Sequence, residues 1–245
     1  MAPEPHPPGS WDTPQRVLVV LAHPDDPEFF CGGTLAYWAR AGHEVIYYLL
    51  TCGDKGFNDS TGPDMTPDVL CAIRHEEQLA AASVIGAAAV HWLDRPDGYL
   101  VPDLDLRREV VRIIRRIKPS VLVTCDPQNL FAAYGLNHPD HRAAGQVVLD
   151  AVFPAAGNKA YFPELIREGL EPHMPREVWV SLSSQPNTVM DVTSTWPDKL
   201  EALLQHKTQI GDVEKFTQRI LSRHTEDSTD EVPRYEEKFR VIKYV

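Results

Sequence analysis

Apolar residues in this chain fall into short unbroken runs separated by longer stretches of helical spacing. The runs cover 16–21 (Arg16-Val17-Leu18-Val19-Val20-Leu21), 44–51, 88–94 and 121–124. Each is rich in β-branched and leucine side chains and bounded by Gly, Pro or polar residues, which marks a strand buried on both faces. Helices are expected between them. One runs over 35–42, opened by Gly32-Gly33-Thr34 and stopped by Gly42; another over 66–86, opened by Thr66-Pro67-Asp68. A third spans 104–118, where arginines alternate with aliphatics, and a fourth 142–152. Alternating strands and helices predict parallel pairing. The expected fold is α/β: a single-domain, Rossmann-like, mostly parallel sheet flanked by helices.

Four further segments complete the pattern. Residues 57–64 are polar and Gly/Pro-bearing and read as a mobile loop at the rim. Residues 153–175 read as an irregular excursion over the same rim, and therefore as a specificity region. Strands are expected at 177–182 and 188–192, and a helix at 199–210. Residues 235–245 alternate well enough for a last strand or an oligomer contact, which leaves a homo-oligomer open.

Composition narrows the class. A chain of 245 residues with 43% hydrophobic content can bury one full core. A net charge of −11 without a basic run argues against a nucleic-acid partner. No apolar stretch approaches the roughly 18 residues of a membrane span. The Pro-rich start lacks the basic and apolar parts of a signal peptide. Residues 1–14 are therefore expected to be a disordered tail, 15–245 one domain, and the location cytoplasmic. Cys31, Cys52, Cys71 and Cys125 are scattered without a C-x-x-C and read as buried free thiols, with Cys31 or Cys52 as alternative metal ligands.

The candidate chemistry sits where two strands end. The first strand runs into Ala22-His23-Pro24-Asp25-Asp26-Pro27-Glu28. Ligands in an open parallel sheet bind just beyond the carboxyl ends of strands. His23 and Asp26 are three apart, so a tight turn brings an imidazole and a carboxylate to one point, a pair that suits zinc. Asp25 lies between them and faces a water at such a centre. A second cluster, Asn137-His138-Pro139-Asp140-His141, follows the strand at 121–124. One imidazole from it completes three ligands with an open position, the arrangement of catalytic zinc. Asp140 is placed to orient a ring.

These two segments, with Gly32-Gly33-Thr34, resemble the PIG-L/LmbE-like family of zinc-dependent N-deacetylases, from about residue 16 to about residue 210. The resemblance implies His23, Asp26 and His141 as ligands of one zinc ion per chain, Asp25 as general base, and His138 as general acid or stabiliser of the tetrahedral intermediate. It also implies that Arg74 points into the site and holds a substrate hydroxyl or tail; read without it, Arg74 and Glu77 form a surface pair. The implied reaction removes an N-acetyl or other N-acyl group from an amino sugar or its conjugate. The rival classes are a metal-dependent phosphoesterase and a non-catalytic sugar-binding module on the same fold.

Other polar residues carry plainer expectations. His91 reads as a packed core imidazole, and Arg107, Arg108, Arg112, Arg115 and Arg116 as a solvated face. Asp97 reads as shaping the pocket without a direct role, and His173 as a weak alternative ligand. Leu130, Phe131 and Tyr134 are expected to line an acyl pocket, with Tyr134 as an oxyanion donor. No role follows for His206-Lys207-Thr208-Gln209. The free amides after Gly32 favour an anion or acyl oxygen at the site.

Overall fold

The structure, a computed structural model, describes residues 4–5, 11–58, 61–132 and 135–244. The first half runs β1 (Glu4–Pro5), β2 (Arg16–Leu21), α1 (Asp26–Arg40), β3 (Glu44–Thr51), α2 (Pro67–Ile85), β4 (Ala89–Arg95) and α3 (Leu104–Ile117). Then follow β5 (Val121–Cys125), a small hairpin of β6 (Phe131–Ala132) and β7 (Gly135–Leu136), and α4 (Pro139–Asp150). A π-helical turn (Ala151–Ala156) and α5 (Pro163–Arg167) lead to β8 (Glu177–Ser181) and β9 (Thr188–Asp191). The chain ends with a 3-10 turn (Thr193–Thr195), α6 (Trp196–Leu203), α7 (Val213–Leu221) and β10 (Glu236–Lys243).

Eight strands form one sheet in the order β1-β9-β10-β8-β5-β2-β3-β4. The pairs β2–β3, β3–β4, β2–β5, β5–β8 and β1–β9 are parallel; only β10 runs antiparallel to its neighbours β8 and β9. The expected mixed α/β sheet is therefore present. Val17 to Leu21 have no exposure at all, as a strand covered by helices on both faces requires. From β2 the chain moves outward through β3 and β4, then returns across β2 to place β5 on its other side. That reversal opens a crevice beyond the carboxyl ends of β2 and β5, the point where such sheets bind ligands. Helix α4 lies very close to β5: a Cβ on Gly145 would meet the Cys125 carbonyl oxygen at 2.2 Å. Close approach carries His141, at the start of α4, to the end of β2.

Several expectations change. Residues 153–175 do not lie over the rim. The Nη2 and Nε of Arg115 donate to the carbonyls of Ala155, Ala156, Asn158 and Tyr161, and His173 Nε2 bonds the Pro119 carbonyl at 2.6 Å. The segment thus returns to the amino ends of β5 and β8, away from the crevice. Arg115 is accordingly buried, not part of a solvated face. His91 is exposed and stacked on Tyr48, because β4 is an edge strand and not an interior one. Cys52 and Cys71 form a disulfide, while Cys31 and Cys125 remain buried free thiols. The last strand is interior to the sheet. The proposed tail falls mostly outside the described residues, although Glu4–Pro5 pairs with β9 and Trp11 packs on Trp38. Among the described residues no helix is long and apolar enough to cross a membrane.

Candidate metal centre and cleft

The turn after β2 is held by its own carboxylate. Asp26 Oδ2 accepts the backbone amides of Ala22 (3.1 Å) and His23 (2.9 Å), which curls the chain and brings both side chains to one side. Asp25 adopts a left-handed conformation, φ 86°, uncommon for a residue with a side chain. Its amide donates to Gln78 Oε1 at 2.8 Å, and Gln78 Nε2 donates to the buried Glu28 carboxylate. His206 Nε2 lies 3.2 Å from Glu28, Thr208 donates to Glu77, and Gln209 Nε2 donates to the Gly56 carbonyl. The His206–Gln209 segment, anchored by the buried His206, is thus a brace beneath the turn, a role its sequence did not reveal.

Each proposed ligand is oriented from behind. His141 Nδ1 and Asn137 Oδ1 are 2.8 Å apart, so Nδ1 carries the proton and Nε2 presents its lone pair. That Nε2 lies 3.0 Å from Asp26 Oδ1. His23 Nε2 lies 3.1 Å from Asp97 Oδ1 and 3.4 Å from Asp140 Oδ2, which places its proton on Nε2 and leaves Nδ1 facing Asp26 Oδ2 at 3.4 Å. Two imidazole lone pairs thus face one buried carboxylate. Acceptors this close repel unless a proton or a metal ion lies among them. Zinc bonds of about 2.0–2.1 Å at tetrahedral angles separate neighbouring ligand atoms by about 3.3–3.4 Å; the 3.4 Å contact to Asp26 Oδ2 has that spacing and the 3.0 Å contact to Oδ1 is shorter. The donor set fits a divalent ion. One nitrogen each of His23, His138 and His141 also lie within 4.8 Å of one another.

Electrostatics show the same demand for positive charge at this point, which a proton on His23 meets when no metal is bound. Burial works to raise the Asp26 carboxyl, but His141 and His23 outweigh it and hold it far below the usual range. Burial disfavours a charged His23, yet Asp26, Asp140 and Asp97 prevail and raise it well above normal. Asp97 feels the same balance: burial pushes it up, and the bond and charge of His23, with His138 and Arg74, bring it down to about 2. Asp97 therefore contacts a proposed ligand directly, which the sequence did not suggest. Burial and the neighbouring His23 and His141 lower His138. Its Nδ1 accepts the Asp140 amide at 3.2 Å, so in the neutral ring Nε2 carries a donor proton.

Arg74 is 3% exposed and is not paired with Glu77. It donates to the Pro24 and Gly53 carbonyls and to Asp25 Oδ2 at 3.0 Å. Burial raises the Asp25 carboxyl against the pull of Arg74. All six expected site residues line or floor one cleft of about 1120 Å³, whose walls add Phe29, Phe30, Asp97, Asn129, Leu136, Ser183, Gln209, Arg219 and Arg223. Leu130 and Phe131 do not line it; Ala132 and Leu136 do. Tyr134 lies outside the described residues, as do residues 59–60 of the expected rim loop. The anion received by the amides after Gly32 is an internal carboxylate, not a ligand of the cleft. Gly33 and Thr34 donate to the two oxygens of Glu237, which Lys199 neutralises at 2.6 Å.

A family model described as PIG-L: GlcNAc-PI de-N-acetylase matches residues 18–152. Diacetylchitobiose deacetylase of Thermococcus kodakarensis is 32% identical over 195 residues, covering 80% of this chain and 70% of that protein. Probable N-acetyl-alpha-D-glucosaminyl L-malate deacetylase 2 of Bacillus anthracis is 27% identical, covering 91% and 92%. The solved structure of N,N'-diacetylchitobiose deacetylase from Pyrococcus horikoshii, complexed with its inhibitor, superposes with a TM-score of 0.84 at 26% identity, over 96% of this chain and 86% of that one.

Proposed function

Because the chain belongs to the PIG-L: GlcNAc-PI de-N-acetylase family, we propose that it hydrolyses the N-acetyl group of an amino sugar or amino-sugar conjugate, with residues 15–245 acting as one domain. The observation that carries the reading is the facing of two imidazole lone pairs and one carboxylate at the floor of a glycoside-sized cleft. His23, Asp26 and His141 are assigned to one zinc ion. When bound, zinc supplies Lewis acidity toward the amide carbonyl and toward water.

The chain's own groups do the rest. Asp25, pinned by Arg74 and raised by burial, takes a proton from the water that attacks the amide carbon. It returns that proton to the departing amine nitrogen as the C–N bond breaks, so the products are acetate and the free amine. His138 Nε2–H donates to the carbonyl oxygen as negative charge gathers there. Arg74 lines the cleft and is assigned to hold a substrate hydroxyl or tail. In the metal-loaded Asp25→Asn variant, amine release from N-acetylated amino sugars should fall about 100–1000-fold or more, with metal content unchanged. Near-normal turnover in that variant removes Asp25 from the mechanism.

A further inference from the structure

A second group of metal-binding side chains lies outside the cleft. Cys52, Cys71, His75 and Asp94 each offer one donor atom, and these atoms lie within 4.8 Å of one another. None of these residues lines the cleft. They come from three neighbouring elements. Cys52 follows the last residue of β3, and Asp94 precedes the last residue of β4; the two strands pair there, Thr51 beside Arg95. Cys71 and His75 are four apart on α2, so both project from one face of it.

In the oxidised chain Cys52 and Cys71 are joined. A disulfide needs neither an imidazole nor a carboxylate, yet both are set against this one. His75 Nε2 lies 4.0 Å from Cys71 Sγ and 3.0 Å from Asp94 Oδ1. The His75 ring packs on Trp92 with centroids 4.2 Å apart. Asp94 takes φ 48°, a left-handed conformation that residues with a side chain seldom adopt. Two thiolates, an imidazole and a carboxylate are donor types of zinc, and four of them make a closed structural site. Zinc–sulfur bonds of about 2.3 Å at tetrahedral angles hold two sulfurs about 3.8 Å apart, wider than the roughly 2.05 Å of a disulfide. The sulfurs therefore part before an ion enters. With the cysteine Cα atoms 5.2 Å apart, rotation about the Cα–Cβ bonds is enough.

We propose that Cys52, Cys71, His75 and Asp94 form a second metal site, which takes zinc once the Cys52–Cys71 disulfide is reduced. A dithiol supplies the two electrons: it is oxidised to its own disulfide as the Sγ–Sγ bond breaks, and its two protons pass to the cysteines. Zinc then displaces both thiol protons to solvent as two Zn–S bonds form. Cys71 and His75 are half-buried and Asp94 is exposed, so reductant and ion reach the site from solvent. Disulfide or metal, the link ties the strand end that carries Gly53 to the helix that carries Arg74, whose Nη1 donates to the Gly53 carbonyl.

The test uses the full chain in two forms. One is oxidised with glutathione disulfide; the other is reduced with dithiothreitol and desalted without oxygen. Thiol titration after denaturation verifies each form. Cobalt(II), which accepts the same ligands and absorbs light, is titrated into both. The reduced chain should bind one more equivalent than the oxidised chain. That equivalent should bring a near-ultraviolet sulfur-to-cobalt charge-transfer band, which added zinc abolishes by displacement. In the reduced protein carrying His75→Ala and Asp94→Ala together, affinity at this site should fall more than about 100-fold, beyond the loss from removing a group that only orients a ligand. The oxidised double variant should bind as much cobalt as the oxidised wild type, which shows that it is folded. Equal metal counts in the two wild-type forms overturn the second site. So does a thiolate band whose affinity survives the double substitution, or a disulfide that dithiothreitol leaves closed in the native chain. The readout is a difference between two forms of one chain, so it does not depend on amine release or on the ion at His23.

Discussion

Replacing Asp97 with alanine probes how the centre is built, because Asp97 touches a proposed ligand without being one. Its Oδ1 receives His23 Nε2 at 3.1 Å, with both side chains under a tenth exposed. That bond fixes which nitrogen of His23 faces Asp26. Carboxylates that orient a metal-binding histidine change affinity about 10–100-fold, or about 1.4–2.7 kcal/mol. Asp140 Oδ2, 3.4 Å from the same nitrogen, remains in the variant. The expected loss for Asp97→Ala is therefore near the lower limit, about 10-fold. Asp140→Ala should cost stability as well, because Asp140 also accepts the Gly98 amide at 2.6 Å and the Leu100 amide at 3.1 Å. The double variant should lose more affinity than the two single losses combined, since either carboxylate alone can hold the ring. Zinc affinity is read by chelator competition at fixed pH, and stability by urea denaturation. Affinity within twofold of wild type in Asp97→Ala and in the double variant refutes the assignment of the His23 tautomer.

Three further expectations test the surroundings. Gly53→Ala puts a side chain on a residue at φ 67°, with its Cβ 2.0 Å from Arg74 Nη1; the strain is about 1–2 kcal/mol, and displacement of Arg74 should lower amine release while zinc stays bound, which loss of metal in the same variant would contradict. Arg115→Ala strips the donors from four carbonyls and should cost at least about 3 kcal/mol in urea denaturation without changing turnover per folded molecule; a cost under about 1 kcal/mol shows that Arg115 does not anchor the 153–175 segment. The Cys52–Cys71 bond closes a 19-residue separation, so the paired serine variant should lose roughly 3 kcal/mol. Thiol titration of the denatured, unreduced chain should find two free cysteines; four would remove the disulfide.

What could be read from the sequence follows from how each contact is encoded. The central strands were legible because β2 is covered on both faces, so nearly every residue in it is apolar. The proposed ligands could be named because each sits in a short turn with its partner: His23 with Asp26, and His141 with Asn137, which orients its ring. Asp97 was not, because Pro96-Asp97-Gly98 carries an ordinary turn pattern and its partner lies 74 residues away. Arg115 sits in a row of arginines, and nothing local distinguishes the one that turns inward. The cysteines of the disulfide sit on different elements, so no spacing marks them. β6 and β7 are two residues each, too short for any period. Helix α7 buries only Phe216 and Ile220, though Asp212 gives it a capping signal that was available.

The carboxylate of Glu237 deserves a last consequence. Residues 18–152 contain every proposed ligand, yet the positive end of the helix that follows the kink at Cys31 is neutralised from 85 residues past that span. A fragment ending at 152 would keep the motifs but expose β5 as a raw sheet edge and leave the Gly33 and Thr34 amides without the Glu237 carboxylate. Such a fragment should be insoluble or unfolded, so activity cannot be transplanted by moving the motif-bearing half into another protein.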